Sequence, residues 1–305
     1  MLNEINSVFL VPIGSGTEGI NGISHLFEHL LIDHLVSLYG QNKIFGKTTE
    51  DYIIMFCEKM ELSEFFKGLQ NLQFKEDIIK REKEIIFNEL KHQAQNENES
   101  FFRLIWKNTP YEKSPLGKFK NIQRISANDL ENLKEKVLQM KLFGYSSSRG
   151  IEYVNNFEKE TSIKNFNVQK VKKIVFKGKN YQVFHFENIA DEFYLLKAVL
   201  EILNKKKHIQ ISEKKKKSTF IVEQGTYFPD VQELKKLKGE AIKMISDQVN
   251  EIKENFCEMA WNELESFFFH KKTWTTRINN LLKTEDNTLS RILSKIQYYS
   301  SIRKT

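Results

Sequence analysis

Proline is scarce, with four residues in 305, and thirteen glycines add few further breaks. A chain so seldom interrupted is not a proline-rich or glycine-rich linker, and its long charged and apolar periods point to many helices with fewer strands. Cysteine is rarer still: Cys57 and Cys257 stand far apart with no Cys-x-x-Cys spacing. That usage excludes a disulfide framework, fits a reducing compartment, and reads as two small buried apolar side chains. Long hydrophobic runs are also missing. Stretches such as Ala198–Leu203 fall far short of the ~20 residues a membrane helix needs, and the N-terminus has no basic region followed by an apolar run. A cytoplasmic protein without a membrane span is the expectation.

What the chain does have is 40% hydrophobic and 12% aromatic content over 305 residues, enough for two domain-sized cores. Forty-seven basic residues against forty acidic give a net charge of +7. The excess is conspicuous in Lys205–Lys207 and Lys214–Lys217, but these runs lack interleaved aromatics and glycines. They read as a solvated hairpin or loop, not as a nucleic-acid surface, and leave room for an acidic peptide or partner.

Ser7–Ile13 reads as a strand ending in a glycine-rich turn, and Gly22-Ile23-Ser24 opens an apolar-periodic helix to about Leu38. A strand at Tyr52–Cys57 follows, then helices at about Ser63–Leu72, from Lys75 to near Trp106, and at Ser126–Met140. Ser126 there is placed to cap, with Asp129 as its acidic partner. Leu142–Ser146 closes a first unit. The pattern restarts with strands at Val168–Phe176, Tyr181–Glu187 and Ser218–Gln224 around a helix at Asp191–Asn204. Long helices at Gln232–Ile252, Glu254 to about Leu282, and Asn287–Tyr299 complete the chain. The class expected is α+β, in two successive units each with a mostly antiparallel sheet covered by helices, over residues 1–150 and 151–305.

The strongest chemical signal is Ser24-His25-Leu26-Phe27-Glu28-His29-Leu30-Leu31. Positions i, i+3 and i+4 share one helical face, so His25, Glu28 and His29 converge. Two imidazoles one turn apart both reach one zinc ion, and the carboxylate between them is placed to take a proton from the attacking water. Leu26, Phe27, Leu30 and Leu31 supply the packed back that holds the donors still. Zinc needs a third protein ligand, and Glu89 offers one from a second helix, with Glu82 two turns earlier on the same face.

His25-Leu26-Phe27-Glu28-His29 together with Glu82-Lys83-Glu84-Ile85-Ile86-Phe87-Asn88-Glu89 resembles the inverted zinc motif and distal glutamate of the pitrilysin and insulinase family, which includes the mitochondrial processing peptidases. Gly14, Glu18 and Gly22-Ile23-Ser24 resemble that family's strand and turn into the motif helix. Gly40-Gln41-Asn42, Thr48–Tyr52 and Pro110–Ser126 resemble its later segments, so the likeness covers about residues 7–150. It implies a zinc peptidase with His25, His29 and Glu89 as ligands, Glu28 as general base and Glu82 as a carboxylate behind the ligands. It also implies that an extended peptide adds as a strand along Ile44, Phe45, Gly46, Lys47 and Thr48.

The sequence departs from the family in three places. His29 and Glu89 are closer in sequence than is usual, which trims a connection. The Asn-Ala pair of the substrate-pairing strand is replaced by Ile44-Phe45, and Lys214–Tyr227 lacks the arginine that accompanies a tyrosine near substrate, leaving Tyr227 alone. Missing donors are therefore expected from a second, family-related subunit, as in two-subunit bacterial relatives, in a heterodimer more than a homodimer. His34, His92, His185 and the cluster Phe267–His270 read as peripheral, packing or interface residues. The function implied is endopeptidase cleavage of extended peptides, including leader or precursor processing. The alternative is a non-catalytic family subunit that binds a partner, with nucleic-acid binding through the lysines ranked last.

Overall fold

A computed structural model of the protein describes residues 5–40, 43–93, 97–154, 171–186, 191–205, 209–214 and 217–283. The chain divides into two compact units, Met1–Phe166 with Asn255–Glu265, and Asn167–Glu254 with Ser266–Thr305. Each holds an antiparallel sheet covered by helices, the α+β class expected. The expected division at residue 150 took no account of the return of Asn255–Glu265 to the first unit.

The first unit runs β1 (Ser7–Val11), α1 (Ile23–Tyr39), β2 (Ile44–Thr48), β3 (Ile53–Cys57), α2 (Leu62–Asn71), α3 (Glu76–Gln93), α4 (Glu97–Ile105), a short turn of 3-10 helix at Pro110–Glu112, α5 (Phe119–Arg124), α6 (Ala127–Leu138), β4 (Leu142–Ser146) and β5 (Gly150–Val154). Its sheet has the order β2-β3-β1-β4-β5. Strands β1 and β3 are buried at every position, which explains why they read as continuous apolar runs instead of alternating ones. Phe9, Val11, Ile53 and Met55 join Leu26, Phe27, Leu31, Phe65 and Val137 in the core on the helical side. On the other face, Trp261 packs edge-on to Phe56 with ring centroids 6.0 Å apart. Its Nε1 donates to the Tyr52 hydroxyl at 2.9 Å, and that hydroxyl in turn donates to Glu265. The capping box of α6 is present as expected: Ser126 Oγ accepts from Asp129 N at 3.2 Å, and Asp129 Oδ2 accepts from Ser126 N at 2.8 Å. Cys57 and Cys257 are both free and buried.

The second unit runs β6 (Val171–Phe176), β7 (Lys179–Phe186), α7 (Glu192–Leu203), β8 (Ile209–Glu213), β9 (Ser218–Glu223) and α8 (Val231–Glu254). It takes up again in the last part of α9 (Phe256–His270) and in α10 (Trp274–Leu282). Its sheet order is β6-β7-β9-β8, and Phe184, Phe193, Leu196, Phe220 and Leu234 fill the core. The single helix expected from Glu254 to Leu282 is instead two. Lys271 adopts a left-handed φ of 56°, and Thr273 Oγ1 caps α10 by accepting from Thr276 N at 3.2 Å. Strand β8 was hidden between the two lysine runs. The helix expected at Asn287–Tyr299 lies outside the described residues, as do Lys206, Lys207, Lys215 and Lys216. Among the described residues no helix is long and apolar enough to cross a membrane.

His185 in β7 is 4% exposed. Burial, then the charges of Lys172 and Lys217, lower its pKa from 6.5 to about 4. An unfolded chain takes up that proton near pH 6.5 while the folded ring refuses it until about pH 4. Stability from the neutral ring is therefore present above pH 6.5 and lost as pH falls toward 4. We expect on the order of 3 kcal/mol to disappear over this window. Urea unfolding at pH 7 and pH 4.5, compared between the native chain and His185→Gln, checks it: the variant should lose most of that acid dependence.

Candidate metal centre

The motif helix is held rigidly because its first half, residues 23–31, is buried almost all round, with Leu26, Phe27 and Leu31 at 0% exposure. Glu18, itself buried, ties down its start. Its Oε1 accepts from Gly22 N at 2.7 Å and Asn21 Nδ2 at 2.9 Å, and its Oε2 from Ser24 N at 3.0 Å. A carboxylate at this end satisfies orphan N–H groups and complements the helix dipole.

The loop from Pro110 to Gly117 is docked against the same end. Ser15 Oγ donates to Lys113 O at 3.0 Å, Asn21 Nδ2 to Ser114 O at 3.1 Å, and the Tyr111 hydroxyl to Asp51 at 3.0 Å. Gly117 has φ +82° and lies so close that a Cβ there would sit 2.4 Å from Gly22 Cα. This glycine-on-glycine contact carries the Leu116 carbonyl to 3.3 Å from His25 Nδ1.

On α3, Ile79, Glu82, Ile86 and Glu89 form one stripe, spaced by three, four and three positions. The isoleucines enter the core, and the two carboxylates meet the histidines. Glu89 Oε2 lies 3.5 Å from His25 Nε2 and 3.6 Å from His29 Nε2. Behind the pair, His29 Nδ1 stands 3.2 Å from Glu82 Oε2. Arg81 fixes Glu82 through Nε at 3.0 Å and Nη2 at 2.9 Å, and also bonds Asp33. Each imidazole thus presents Nδ1 to an oxygen, Leu116 O or Glu82, and Nε2 to Glu89. Such outer partners are what select the tautomer of a metal-binding histidine.

The three donor atoms of His25, His29 and Glu89 all lie within 4.8 Å of one another. Zinc bonds of ~2.1 Å in a tetrahedron place ligand atoms roughly 3.4 Å apart, which the two histidine-to-Glu89 distances match. The chemistry fits as well: two imidazoles and one carboxylate are a donor set that suits zinc. Burial, then the neighbouring His29, lowers the His25 pKa to about 4, so this ring is neutral at pH 7 and ready to bind. For His29 burial acts downward, but the hydrogen bond to Glu82 and the charges of Glu89 and Glu28 outweigh it and raise the pKa. Glu82 is held below the ordinary carboxylate range: its own burial opposes this, but the bonds from His29 and Arg81 prevail.

Glu28 is 4% exposed. Burial pushes its pKa up to about 7, against the pull of a hydrogen bond from the Thr48 hydroxyl. Along β2, Ile44 and Thr48 turn inward, the first into the core and the second onto Glu28. Gly46 runs so near the same carboxylate that a Cβ would lie 2.7 Å from Glu28 Oε1. Phe45 and Lys47 point to the opposite face and are exposed. Of the five residues expected along the substrate strand, the side chains of Phe45 and Lys47 are accessible, and Thr48 supports Glu28.

Among the described residues, the other histidines are not part of this group. His34 is half-buried further along α1, and His92 is exposed at the end of α3. In the second unit, His185 lies in β7, and His270 Nε2 is 3.3 Å from Glu213. Tyr227 is 53% exposed, and its hydroxyl donates to Glu233 at 2.8 Å. Sequence reasoning missed the roles of Glu18, Thr48 and the Leu116 carbonyl. An acid four residues before the glycine at a helix start was the one available sign of the first.

The weight of Glu82 can be measured. Glu82→Gln keeps the shape but surrenders the charge that holds His29, so zinc affinity is expected to fall about 10- to 100-fold. Competition against a chromophoric chelator reads this directly, and an unchanged affinity would place Glu82 outside the centre.

No protein-family model and no curated protein matches the sequence. Solved structures do resemble it. A chain from Alicyclobacillus acidocaldarius assigned to the M16-like peptidases superposes with a TM-score of 0.62 at 13% identity, covering 93% of this chain and 87% of that one. A chain of complex III2 from Candida albicans gives 0.60 at 12% identity, covering 94% and 87%. A peptidase M16 inactive domain from Pseudomonas fluorescens gives 0.58 at 10% identity, covering 96% and 90%. The protein therefore has the fold shared by M16-like peptidases and by relatives that include an inactive domain.

Proposed function

We propose that this chain is a zinc-dependent endopeptidase of the inverted-zincin type, acting on peptides in extended conformation. The observation that carries the proposal is the convergence of His25 Nε2, His29 Nε2 and Glu89 Oε2, with buried Glu28 one turn of α1 away on the same face. Zinc held by these three supplies Lewis acidity, polarising a carbonyl and making water acidic near neutral pH. Glu28, with a pKa of about 7, is poised to exchange a proton at that pH. It takes the proton of the attacking water at its carboxylate and delivers it to the departing amine. Thr48 keeps that carboxylate oriented through its hydroxyl, and His25 and His29 are kept from swinging by Leu116 O and Glu82. The peptide lies along the edge strand β2, where main-chain hydrogen bonds give affinity.

We place the protein in the cytoplasm, processing a peptide leader or precursor together with a second, related subunit. The lack of arginine in Lys214–Tyr227 and the engagement of Tyr227 with Glu233 support a partner that supplies the donors for the developing oxyanion. The rival is a non-catalytic scaffold subunit, as the inactive Pseudomonas domain of the same fold suggests. Retention of the three metal donors and Glu28 favours catalysis. The test is zinc analysis with hydrolysis of internally quenched peptides, by the full chain alone and with any partner recovered by pull-down. Chelator-sensitive cleavage restored by zinc supports the peptidase. Bound partner without zinc or cleavage leaves the scaffold.

A further inference from the structure

We infer that the edge of β2 selects its peptide through one apolar and one acidic side chain two residues apart, read by Phe45 and Lys47; this rests on the peptidase assignment above. Strand β2 is the terminal strand of its sheet, so one side of its backbone has no neighbouring strand among the described residues. The strand passes directly by Glu28, since Gly46 abuts its carboxylate and Thr48 bonds it. A peptide paired there has its backbone beside the general base.

Side chains of an added strand alternate between the two faces. On the Glu28 face, β2 offers only buried Ile44 and Thr48 and the bare Gly46. On the other face it offers a built surface. Phe45 is 39% exposed and stacks on Phe56 with centroids 4.7 Å apart and an angle of 11°. Lys47 Nζ sits 4.7 Å from the centroid of the Trp261 ring. Trp261 is itself braced by Phe56 and by its bond to Tyr52. Among the described residues no carboxylate forms an ion pair with Lys47, which is exposed.

Phe45 and Lys47 are two residues apart, so an extended peptide repeats at the same spacing and presents a matching pair on this face. The apolar ring calls for an apolar partner, and the ammonium for a carboxylate, because cross-strand pairs of these kinds are favourable and like charges opposed are not. Neither side chain touches the metal donors. They set which peptide is held, not how the bond is cut.

The test uses the full zinc-loaded chain and internally quenched decapeptides of alanine and glycine. One pair of positions two apart carries Phe and Glu, Phe and Lys, Ala and Glu, or Ala and Lys, in either order, and the pair is moved along the peptide. Cleavage is read by fluorescence and mass spectrometry, and binding by anisotropy of labelled copies on Glu28→Gln. In one register, Glu should be preferred over Lys by about fivefold to tenfold. Lys47→Gln should erase that preference and Lys47→Glu invert it, while Phe45→Ala removes the choice of Phe over Ala and leaves the choice of Glu. Cleavage or binding indifferent to charge in every register, or a preference that survives Lys47→Glu, overturns the inference. Charge-selective binding without cleavage of any peptide keeps it and counts instead against the peptidase assignment.

Discussion

Glu28→Gln should lower peptide hydrolysis by about 10²- to 10⁴-fold while leaving one zinc ion bound per chain. The amide has nearly the same shape, and the donor atoms of His25, His29 and Glu89 are untouched by the change. What is lost is the ability to accept a proton. The burial that pushes the Glu28 carboxyl up to about 7 puts its proton exchange near neutral pH, and it is the one buried carboxylate that α1 itself carries; buried Glu82 is engaged by His29 and Arg81. Zinc content and turnover measured on one preparation separate chemistry from metal loss. Turnover within a few-fold of the native rate would remove Glu28 from the mechanism.

Glu89→Ala should have the opposite signature: zinc is lost, and activity with it. Removal of a carboxylate behind a metal ligand typically costs 10- to 100-fold in affinity, and removal of a ligand costs more. Affinity is therefore expected to fall by more than about a hundredfold. Glu89 has a side chain 41% exposed and forms no part of the core, so the metal-free variant should remain folded. Zinc that binds the folded state alone would stabilise the native chain; the rise in melting temperature expected on adding zinc should then vanish in the variant. A variant that keeps both its zinc and that rise would show that the third ligand lies elsewhere.

The grouping of His25, His29 and Glu89 was largely legible in the sequence, for a reason particular to helices. Spacings of three, four and seven fix which side chains share a face, and both donor-bearing elements are helices, so His25, Glu28 and His29 on one and Glu82 and Glu89 on the other were placed by counting. That the two helices would meet came from the family resemblance, not from periodicity. Groups that orient the donors were harder to see. The Leu116 carbonyl has no residue type to betray it, and its position depends on two glycines, Gly22 and Gly117, that touch across nearly a hundred residues. Thr48 was read as a substrate contact because strand alternation cannot tell which face will meet α1.

Larger misses arose from contacts distant in sequence. Glu254–Leu282 has helical periodicity throughout, and only the left-handed Lys271 and the cap at Thr273 divide it. Which sheet its first part covers is decided by Trp261 and Glu265 finding Tyr52 and Phe56, partners some two hundred positions earlier. Strands β5 and β8 were overlooked because one begins at a glycine and the other lies between lysine runs, where composition resembles a loop.

X-ray absorption at the zinc edge bears most directly on the metal centre. One zinc per chain, with two imidazoles and oxygen donors at about 2.0–2.1 Å, is expected, and His25→Ala or His29→Ala should each remove an imidazole contribution or the metal itself. Zinc bound without imidazole scattering, or bound unchanged in both variants, would mean that these helices hold no metal.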